Sequence, residues 1–391
     1  MMHQSKLPNV GTTIFTVMSA LAEQHKAINL SQGFPNFNCS EALQDLVHFY
    51  MKNGANQYAP MAGVLRLREV LAQKIEKLYH RPTNPDTEIT ITAGGAQGLF
   101  TTIAAFIRPK DEVIVIEPAY DSYVPSIETF GGKVVAYTLS PPQYKIDWDA
   151  FEQLVSPKTK MIVINTPHNP TAKVWTMEDL ARLAKITEGS NIIVLSDEVY
   201  EHLIFDGAQH ASVLRFPELA ERSLSVFSFG KTFHATGWRI GYIVGPEILM
   251  REFRKVHQFN VFSVNTPIQH ALADFLIDEN NYLQLPDFYQ KKRDFFLEKM
   301  KNSRLRPLTS EGTYFQLFDY SEVSQAADTD FCRWLTTDIG VAAIPVSVFY
   351  SKAKQRLPLG QKDVFSERII RLCFAKTEDT LAAAALRLSD I

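Results

Sequence analysis

The run Met161-Ile162-Val163-Ile164 is apolar at four consecutive positions, and similar runs, Val113-Ile114-Val115-Ile116 and Ile192-Ile193-Val194-Leu195, precede and follow it in the chain. A strand with one face in water alternates apolar and polar residues. A strand of a parallel sheet that is covered on both faces is apolar throughout. These runs therefore predict buried strands of a mostly parallel sheet.

Helical segments separate such strands between about residues 85 and 260, which is typical of α/β proteins with helices on both faces of the sheet. The predicted strands are 112–117, 133–138, 161–165, 192–196, 224–228 and 240–244, and the predicted helices are 95–107, 120–130, 148–155, 177–186 and 248–259.

The two ends of the chain have a different pattern. Residues 1–45 are rich in turns, and the chain from about residue 285 mixes helices with isolated strands such as 313–318 and 369–374. We therefore expect a large α/β domain formed by residues 46–284. A smaller α+β domain would combine the N-terminal arm, residues 1–45, with residues 285–391.

Composition excludes several classes of function. The formal net charge of −3 argues against nucleic acid as a partner, because phosphate backbones select basic surfaces. No apolar run is long enough to span a membrane, and the first 13 residues do not resemble a secretory signal, so we expect neither a membrane nor an export role. Three cysteines without a Cys-x-x-Cys pair, and histidines without ligand spacing, predict neither disulfides nor a bound metal. We expect a cytoplasmic protein.

Chemically distinctive side chains follow four of the predicted strands. Ligands of parallel sheets bind beyond the carboxyl ends of the strands, so residues at those ends converge. They are Tyr120 after the first strand, Asn169 after the third, Asp197 and Tyr200 after the fourth, and Lys231 after the fifth. A lysine in such a place needs a partner or a chemical use, and a buried lysine can act as a Schiff-base nucleophile.

Pyridoxal phosphate is a cofactor that would use this whole set. Its aldehyde bonds covalently to a lysine, and its ring nitrogen needs a carboxylate to stay protonated as an electron sink, which Lys231 and Asp197 would supply. Asn169 and Tyr200 would donate to the ring oxygen. Tyr120 would stack on the ring.

The cofactor phosphate would bind where Gly94-Gly95-Ala96-Gln97 begins a helix, with a hydroxyl added by Ser228. Taken singly, each feature has a simpler interpretation. A glycine-rich helix start is often only a tight turn, and Asn169-Pro170 is an ordinary turn dipeptide. It is the conjunction of these features, in this order, that favours a cofactor site.

Three segments carry a resemblance to a known family: Asn165-Thr166-Pro167-His168-Asn169-Pro170-Thr171, Ser196-Asp197-Glu198-Val199-Tyr200, and the stretch from Ser228 to Arg239. Over nearly its whole length the chain resembles class I aminotransferases of the pyridoxal-phosphate fold type I superfamily. It is most similar to the kynurenine/glutamine aminotransferase branch, which includes bacterial methionine aminotransferases. The resemblance implies an α/β fold whose large domain has a mostly parallel seven-stranded sheet between helices, plus the smaller α+β domain.

The resemblance also implies roles for the candidate residues. Lys231 would hold the cofactor covalently and later, as a base, move a proton between substrate and cofactor. Asp197 would pair with the ring nitrogen, and Tyr200 and Asn169 with the ring oxygen. Arg371 would bind the substrate α-carboxylate as a bidentate fork, assisted by Asn169 and the Gly33 backbone. The phosphate would be held by Gly95, Ala96, Ser228 and Arg239, together with Tyr58 donated by the partner subunit of a homodimer.

Aromatic residues adjoin the position of the substrate side chain in this branch, and here the corresponding residues are Phe15, Tyr123, Phe262 and Tyr314. They imply a large apolar, aromatic or sulfur-containing amino acid as the donor, with methionine favoured and a 2-oxo acid as the acceptor. The sequence departs from the family pattern at Ala96, where relatives often have an aromatic residue, and at Gly230, where they often have serine. The sequence shows no arginine that must bind a second substrate carboxylate, although Arg66, Arg68 and Arg254 remain candidates for that role.

Other functions also remain open from the sequence. The same cofactor and scaffold also fit β-elimination from cysteine conjugates, or specificity for kynurenine, glutamine or aspartate. A nicotinamide dehydrogenase is disfavoured because no Gly-x-Gly-x-x-Gly follows the first strand. A ligand-sensing domain of a transcription regulator is disfavoured because the chain has no basic DNA-binding segment.

Overall fold

The computed structural model describes residues 5–351 and 368–391, so residues 1–4 and 352–367 of the predicted small domain lie outside the described part. The strands are β1 (Ile28–Asn29), β2 (Ile89–Thr92), β3 (Glu112–Glu117), β4 (Lys133–Thr138), β5 (Thr159–Asn165), β6 (Ile193–Asp197), β7 (Ser223–Ser228), β8 (Gly241–Val244), β9 (Arg306–Pro307), β10 (Phe315–Asp319), β11 (Val341–Ala342), β12 (Ile344–Pro345) and β13 (Ile369–Cys373). The helices are α1 (Ile14–Gln24), α2 (Glu41–Lys52), α3 (Leu65–Tyr79), α4 (Gly95–Phe106), α5 (Tyr123–Thr129), α6 (Trp148–Glu152), α7 (Met177–Thr187), α8 (Pro217–Ala220), α9 (Phe229–Thr232), α10 (Glu247–Asn260), α11 (Thr266–Phe275), α12 (Asn280–Leu283), α13 (Leu285–Met300), α14 (Asp328–Trp334) and α15 (Glu378–Ser389).

The large sheet has the spatial strand order β2-β8-β7-β6-β5-β3-β4 among the described residues. Strands β3 to β7 pair in parallel, whereas β8 is antiparallel to both of its neighbours, β2 and β7. The predicted mostly parallel seven-stranded sheet is therefore confirmed, as a mixed sheet with one antiparallel strand. The apolar runs gave no sign of that strand's direction, and β2 was not predicted, because Ile-Thr alternation over four residues is too short a signal.

Both faces of this sheet are covered, and the residues of β3 show how. Val113 and Val115 pack in a core with residues of α4, whereas Ile114 and Ile116 pack in a second core with residues of α6 and α7. Successive residues of a strand point to opposite faces, so a sheet with helices on each side needs apolar residues at every position. This packing explains why the strand sequences are continuous apolar runs.

The register of the sheet brings the strand ends together. Asn165 at the end of β5 is opposite Asp197 at the end of β6, Asp197 is opposite Val226 of β7, and Ser228 at the end of β7 is opposite Gly241. The residues that follow these strands therefore leave the sheet at one edge. Here the predicted helix 120–130 begins three residues late, at Tyr123, because residues 121 and 122 form a turn after Tyr120.

The remaining strands form two small sheets. β12, β13, β10 and β9 make an antiparallel sheet in that order, and β1 pairs in parallel with β11. The second pairing joins the N-terminal arm to the C-terminal segment, which supports the predicted grouping of residues 1–45 with 285–391. That division of the chain stays a prediction. Within the described ranges, no helix has the length and apolar character needed to cross a membrane, and no cluster of side chains is arranged to hold a metal ion.

Candidate active site

A cavity of about 270 Å³ lies at the sheet edge where β5, β6 and β7 end. Most of the predicted site residues line it: Phe15, Gly33, Gly95, Ala96, Tyr120, Asn169, Asp197, Tyr200, Ser228, Lys231, Arg239 and Arg371. Gln32, Phe34, Leu99, Asn165, Val199, Thr236 and Phe315 complete its described lining. The sequence reasoning missed these residues as cavity walls, although Asn165 is directly at a strand end and was detectable on that ground.

Lys231 is in the short helix α9, which follows β7 directly. Its Nζ donates hydrogen bonds to the Tyr314 hydroxyl at 2.8 Å and to the Gly33 carbonyl at 3.3 Å. Burial lowers the pKa of Lys231 from 10.5 to about 8, and the positive charges of Arg239 and Arg371 act in the same sense. The amine is therefore far easier to deprotonate near neutral pH than a lysine in water.

Asp197 is the last residue of β6 and is buried. Its carboxylate accepts hydrogen bonds from the Tyr123 hydroxyl at 2.6 Å and from the Val199 N–H at 3.3 Å. Burial raises the pKa of Asp197 from 3.8 to about 6, although both of these donors act in the opposite sense. A cationic ring nitrogen placed against this carboxylate would favour its ionised form.

A cradle of backbone groups forms where α4 begins. Gly94, the residue before the helix, has a φ of +84°, and a Cβ there would lie 2.8 Å from Arg239 Nη2. A Cβ on Gly95 would lie 2.9 Å from Val199 Cγ1. The first N–H groups of a helix have no partner within the helix and bind anions well. With Ser228 and Arg239 beside them, these groups fit a phosphate.

Arg371 lies in β13 between β10 and β12, and its side chain is buried. Nη1 donates to Asn169 Oδ1 at 2.6 Å and Nη2 donates to the Ser31 carbonyl at 3.1 Å, whereas Nε has no hydrogen-bond partner among the described residues. Burial lowers the pKa of Arg371 from 12.5 to about 10, which still leaves the guanidinium charged near neutral pH. A buried cation with an unused donor suits a carboxylate ligand.

Three aromatic rings surround the Arg371 guanidinium. Its Cζ is 3.9 Å from the ring centroid of Phe315, 5.1 Å from that of Phe349 and 5.3 Å from that of Phe15. These distances allow cation–π attraction and keep water from the charge. The guanidinium is thereby held in one position.

Asn169, Tyr200 and Tyr120 form further parts of the cavity wall. The Asn169 N–H donates to Asn165 Oδ1 at 2.8 Å, which fixes the loop after β5. Burial raises the pKa of Tyr120 to about 12 and raises that of Tyr200 further, so both phenols stay protonated and able to donate.

A family model for aminotransferases of class I and II matches residues 25–388 of this chain. The chain belongs to this family. Methionine aminotransferase of Escherichia coli strain K12 is 52% identical over 389 residues, which cover 99% of this chain and 98% of that protein. Kynurenine–oxoglutarate transaminase of Dictyostelium discoideum is 34% identical over 411 residues, which cover 96% and 93%. A crystal structure from Escherichia coli, described as identifying a methionine aminotransferase function, has a TM-score of 0.94 at 51% identity and covers 100% of both chains.

These similarities confirm three predictions made from the sequence: the family, the fold type I architecture and aminotransferase activity. The family depends on pyridoxal phosphate as its cofactor. Membership of this family excludes the two other classes weighed above, a nicotinamide dehydrogenase and a regulatory ligand-sensing domain.

Tyr123, predicted to contact the substrate side chain, has a different place in this aminotransferase. It is buried and is not one of the residues lining the described part of the cavity. Its hydroxyl donates to Asp197, and its ring packs edge-on against Tyr120 at 5.7 Å. These contacts support the Asp197 carboxylate, and the contact of Tyr123 with the substrate side chain stays a prediction.

Tyr58 and Phe262, predicted to bind the phosphate and the substrate, also lie outside the described lining of the cavity. They form an edge-on pair at the surface, with ring centroids 5.2 Å apart, and are 80% and 50% exposed. The two rings are in contact and so form a small exposed apolar patch.

A larger cavity of about 670 Å³ lies elsewhere, with Trp148, Trp175 and several carboxylates in its wall. None of the predicted site residues lines its described part. The smaller cavity is therefore the candidate active site, because it is lined by the predicted residues although it has the smaller volume.

Proposed function

We propose that this aminotransferase uses pyridoxal phosphate to transfer the amino group of a large apolar, aromatic or sulfur-containing L-amino acid, with methionine first, to a 2-oxo acid. One observation carries the proposal. Lys231, Asp197 and Arg371, which are an amine, a carboxylate and a guanidinium from three separate segments, line one cavity.

The cavity fits the cofactor on its own chemistry. Gly94 and Gly95 leave the start of α4 open, since a side chain at either position would collide with Arg239 or Val199. Asp197 would pair with the ring nitrogen. When bound, pyridoxal phosphate supplies an electron sink that stabilises negative charge on the substrate Cα.

Lys231 would perform the proton transfers. Its lowered pKa of about 8 allows the free Nζ to take a proton from the substrate Cα and to return one during the second half of the reaction. The reaction is then ping-pong, because one substrate leaves as a 2-oxo acid before the second binds.

Arg371 would orient the substrate. Bidentate binding of the α-carboxylate fixes the Cα relative to Lys231, and such positioning is a large part of catalysis. The rings of Phe15, Phe315 and Phe349 around the guanidinium exclude water and strengthen this contact.

The donor's side chain would meet an apolar wall. Phe15, Phe34, Leu99 and Tyr120 line the cavity, and Ala96 leaves room where relatives often have an aromatic residue. The 52% identical relative is named for methionine, whose flexible thioether packs well against aromatic rings.

In the described lining of the cavity, a second carboxylate on the substrate would find no cation without another proposed role. The basic side chains in the described lining are Lys231, Arg239 and Arg371, which already have proposed roles. Arg66 pairs with Asp274, Arg68 with Asp86 and Gly63, and Arg254 with Thr90 and Ile89, all away from this cavity. This distribution disfavours aspartate as donor.

Two copies of the chain would complete the site. The exposed pair of Tyr58 and Phe262, with Phe259 at 88% exposure nearby in sequence, supports the homodimer that the family resemblance implies. In the proposed dimer, Tyr58 of each subunit reaches the phosphate of the other.

The proposed location is the cytoplasm. Cys39, Cys332 and Cys373 are all free thiols. Unpaired cysteines are usual in reducing compartments.

An amino-donor comparison tests the substrate proposal. The holoenzyme is supplied with methionine, phenylalanine or aspartate and a common 2-oxo acid, and kcat/KM is measured from the 2-oxo acid formed. We expect methionine to exceed aspartate by about 100-fold or more, because a buried side-chain carboxylate would be left unpaired. A preference for aspartate would overturn the argument about the cavity wall.

A further inference from the structure

Tyr314 makes a contact with Lys231 that has no role in the function proposed above. Lys231 Nζ donates to the Tyr314 hydroxyl at 2.8 Å and to the Gly33 carbonyl at 3.3 Å, and the Tyr314 hydroxyl itself donates to the same carbonyl at 2.5 Å. The three groups form a closed triangle of hydrogen bonds. The sequence resemblance had suggested Tyr314 as a neighbour of the substrate side chain, but Tyr314 is fully buried and does not line the described cavity.

The direction of each hydrogen bond determines the orientation of the amine. Because the Tyr314 hydroxyl proton is used on Gly33, the phenol oxygen can only accept from Lys231, as the Gly33 carbonyl does. A neutral amine has two N–H bonds and one lone pair. Both N–H bonds are occupied by these acceptors, so the lone pair takes the one remaining tetrahedral direction at Nζ, and Lys231 itself lines the cavity.

Tyr314 is held rigidly in this arrangement. Its ring packs against Tyr200 at 5.2 Å, Phe315 at 4.9 Å and Tyr289 at 5.9 Å. Burial raises the pKa of Tyr314 well above its usual value, so the phenol stays protonated.

Gly33 is equally constrained. A Cβ there would lie 2.6 Å from Phe315 Cζ and 3.1 Å from Tyr314 Cε2. The acceptor oxygens that face Lys231 therefore keep their positions whether or not the amine is present.

We propose that Tyr314 is a positioning residue for the free amine of Lys231: together with the Gly33 carbonyl it receives the two N–H bonds of the released lysine and aims the lone pair at the substrate Cα. The inference rests on the function proposed above.

This arrangement matters when the substrate amine replaces the amine of Lys231 on the cofactor. With pyridoxal phosphate bound, the substrate amine would take the place of Lys231, so the bond to Lys231 Nζ would break as the bond to the substrate nitrogen forms. Counting both amines as neutral, the substrate nitrogen gives up two protons and Lys231 leaves with two, as NH2. These two new N–H bonds are the ones that Tyr314 and Gly33 accept. The lone pair of Lys231 would then take the proton from the substrate Cα, and the electron pair of the C–H bond would stay on the substrate, where the bound cofactor would stabilise it.

Tyr314→Phe tests the first half of this proposal without turnover. An α-methyl amino acid such as α-methylmethionine displaces Lys231 but has no α-proton to lose, so its dissociation constant, followed by the absorbance of the bound cofactor, reports on the released lysine alone. We expect the variant holoenzyme to bind it about two- to tenfold more weakly, because one hydrogen bond to the free amine is lost.

Tyr289→Phe is the matched control. It removes a buried phenol hydroxyl from the same aromatic cluster, but that hydroxyl contacts His234 Nδ1 at 2.9 Å and not Lys231. We expect this variant to bind α-methylmethionine as the wild type does.

The second half of the proposal, that Tyr314 helps to aim the lone pair of Lys231 at the substrate Cα, is tested with methionine and with methionine deuterated at Cα. For Tyr314→Phe we expect kcat to fall about 10- to 100-fold with little change in KM, and the deuterium isotope effect on kcat to rise, because a poorly aimed base slows proton transfer. Equal losses in both variants, or an unchanged dissociation constant and isotope effect in Tyr314→Phe, would overturn the proposal. Failure of the wild type to transaminate would instead reject the proposed function, so the two failures are distinguishable.

Discussion

Arg371 in β13 donates from Nη1 to Asn169 Oδ1 at 2.6 Å, although 202 positions separate the two residues in the chain. This hydrogen bond joins the small antiparallel sheet to the loop that follows β5 of the large sheet. It also settles the orientation of the Asn169 amide. With Oδ1 used by Arg371, the amide NH2 is the group left free to donate, which is compatible with the predicted hydrogen bond to the cofactor ring oxygen.

Replacement of Arg371 by lysine tests its assignment to the substrate carboxylate. Lysine keeps the charge but loses the fork and its contact with Asn169. We expect kcat/KM for methionine to fall by about 100-fold or more, mainly through KM, in steady-state assays. Arg306→Lys, at an exposed ion pair with Glu322, serves as the control and should leave kcat/KM unchanged. A fall of less than threefold for Arg371→Lys would reject the assignment.

Two glycines of α4 allow a paired test of the phosphate cradle. A Cβ on Gly95 would lie 2.9 Å from Val199 Cγ1, whereas a Cβ on Gly98, one turn later, would meet its neighbours only at 3.4 Å or more. We expect Gly95→Ala to weaken pyridoxal phosphate binding about tenfold or more and Gly98→Ala to leave it within about twofold, as measured by cofactor titration. Equal affinities for the two variants would contradict the proposed cradle.

The buried carboxyl group of Asp197 should make the stability of the cofactor-free protein depend on pH in an unusual way. Because burial raises its pKa from 3.8 to about 6, the folded state holds the proton more tightly than the unfolded state does. The contribution of the protonated Asp197 carboxyl to the free energy of unfolding is therefore full below pH 3.8, and it is lost as the pH rises through about 6.

Asp197→Asn removes this titration while keeping the size of the side chain. We expect the variant to be more stable than the wild type at pH 8 by up to about 3 kcal/mol, with the difference shrinking towards pH 4, in urea denaturation of the cofactor-free proteins. The same variant should lose nearly all transamination. A stability difference that is independent of pH would refute the assigned pKa.

A buried ion pair supports the segment that carries Tyr200. Lys74 Nζ donates to Glu201 Oε1 at 2.6 Å, and the hydroxyls of Tyr79 and Tyr242 donate to the same carboxylate. Burial acts to raise the pKa of Glu201, but the charge of Lys74 holds it well below its usual value, so the carboxylate is ionised.

Glu201→Leu would leave Lys74 buried without its counter-charge. We expect a loss of about 3–5 kcal/mol in the free energy of unfolding. The double variant Lys74→Met/Glu201→Leu should lose less than the single one, since no charge is stranded. A double variant that is less stable than the single one would show that the pair itself, and not the stranded charge, governs the stability.

Much of the site was predictable because its residues follow strands. Asp197, Asn169 and Lys231 come at or just after apolar runs, and a parallel sheet brings such ends to one edge whatever their distance in sequence. The same runs predicted the sheet, since burial on both faces leaves a clear pattern. They could not reveal the antiparallel direction of β8, which depends on connections rather than on composition.

Other features depend on contacts that no local pattern encodes. The bond between Lys231 and Tyr314 spans 83 positions and the bond to Gly33 spans 198, and both result from the way β10 and the N-terminal arm pack beside the large sheet. The hydrogen bond from Tyr123 to Asp197 was not predicted, because the position of Tyr123 three residues after Tyr120 gives no indication of which side of Asp197 it occupies. Tyr58 and Phe262 were predicted by resemblance alone, and the role proposed for Tyr58 depends on a second subunit.

The central claim is that Lys231 performs the chemistry of a pyridoxal-phosphate transaminase, and one measurement tests it most directly. Wild type and Lys231→Ala are supplied with pyridoxal phosphate, methionine and a 2-oxo acid, and the rate at which the 2-oxo acid of methionine forms is compared. We predict rapid turnover by the wild type and a rate lower by about 1,000-fold or more in a variant that is still folded. Transamination by Lys231→Ala at a rate near that of the wild type would contradict the account.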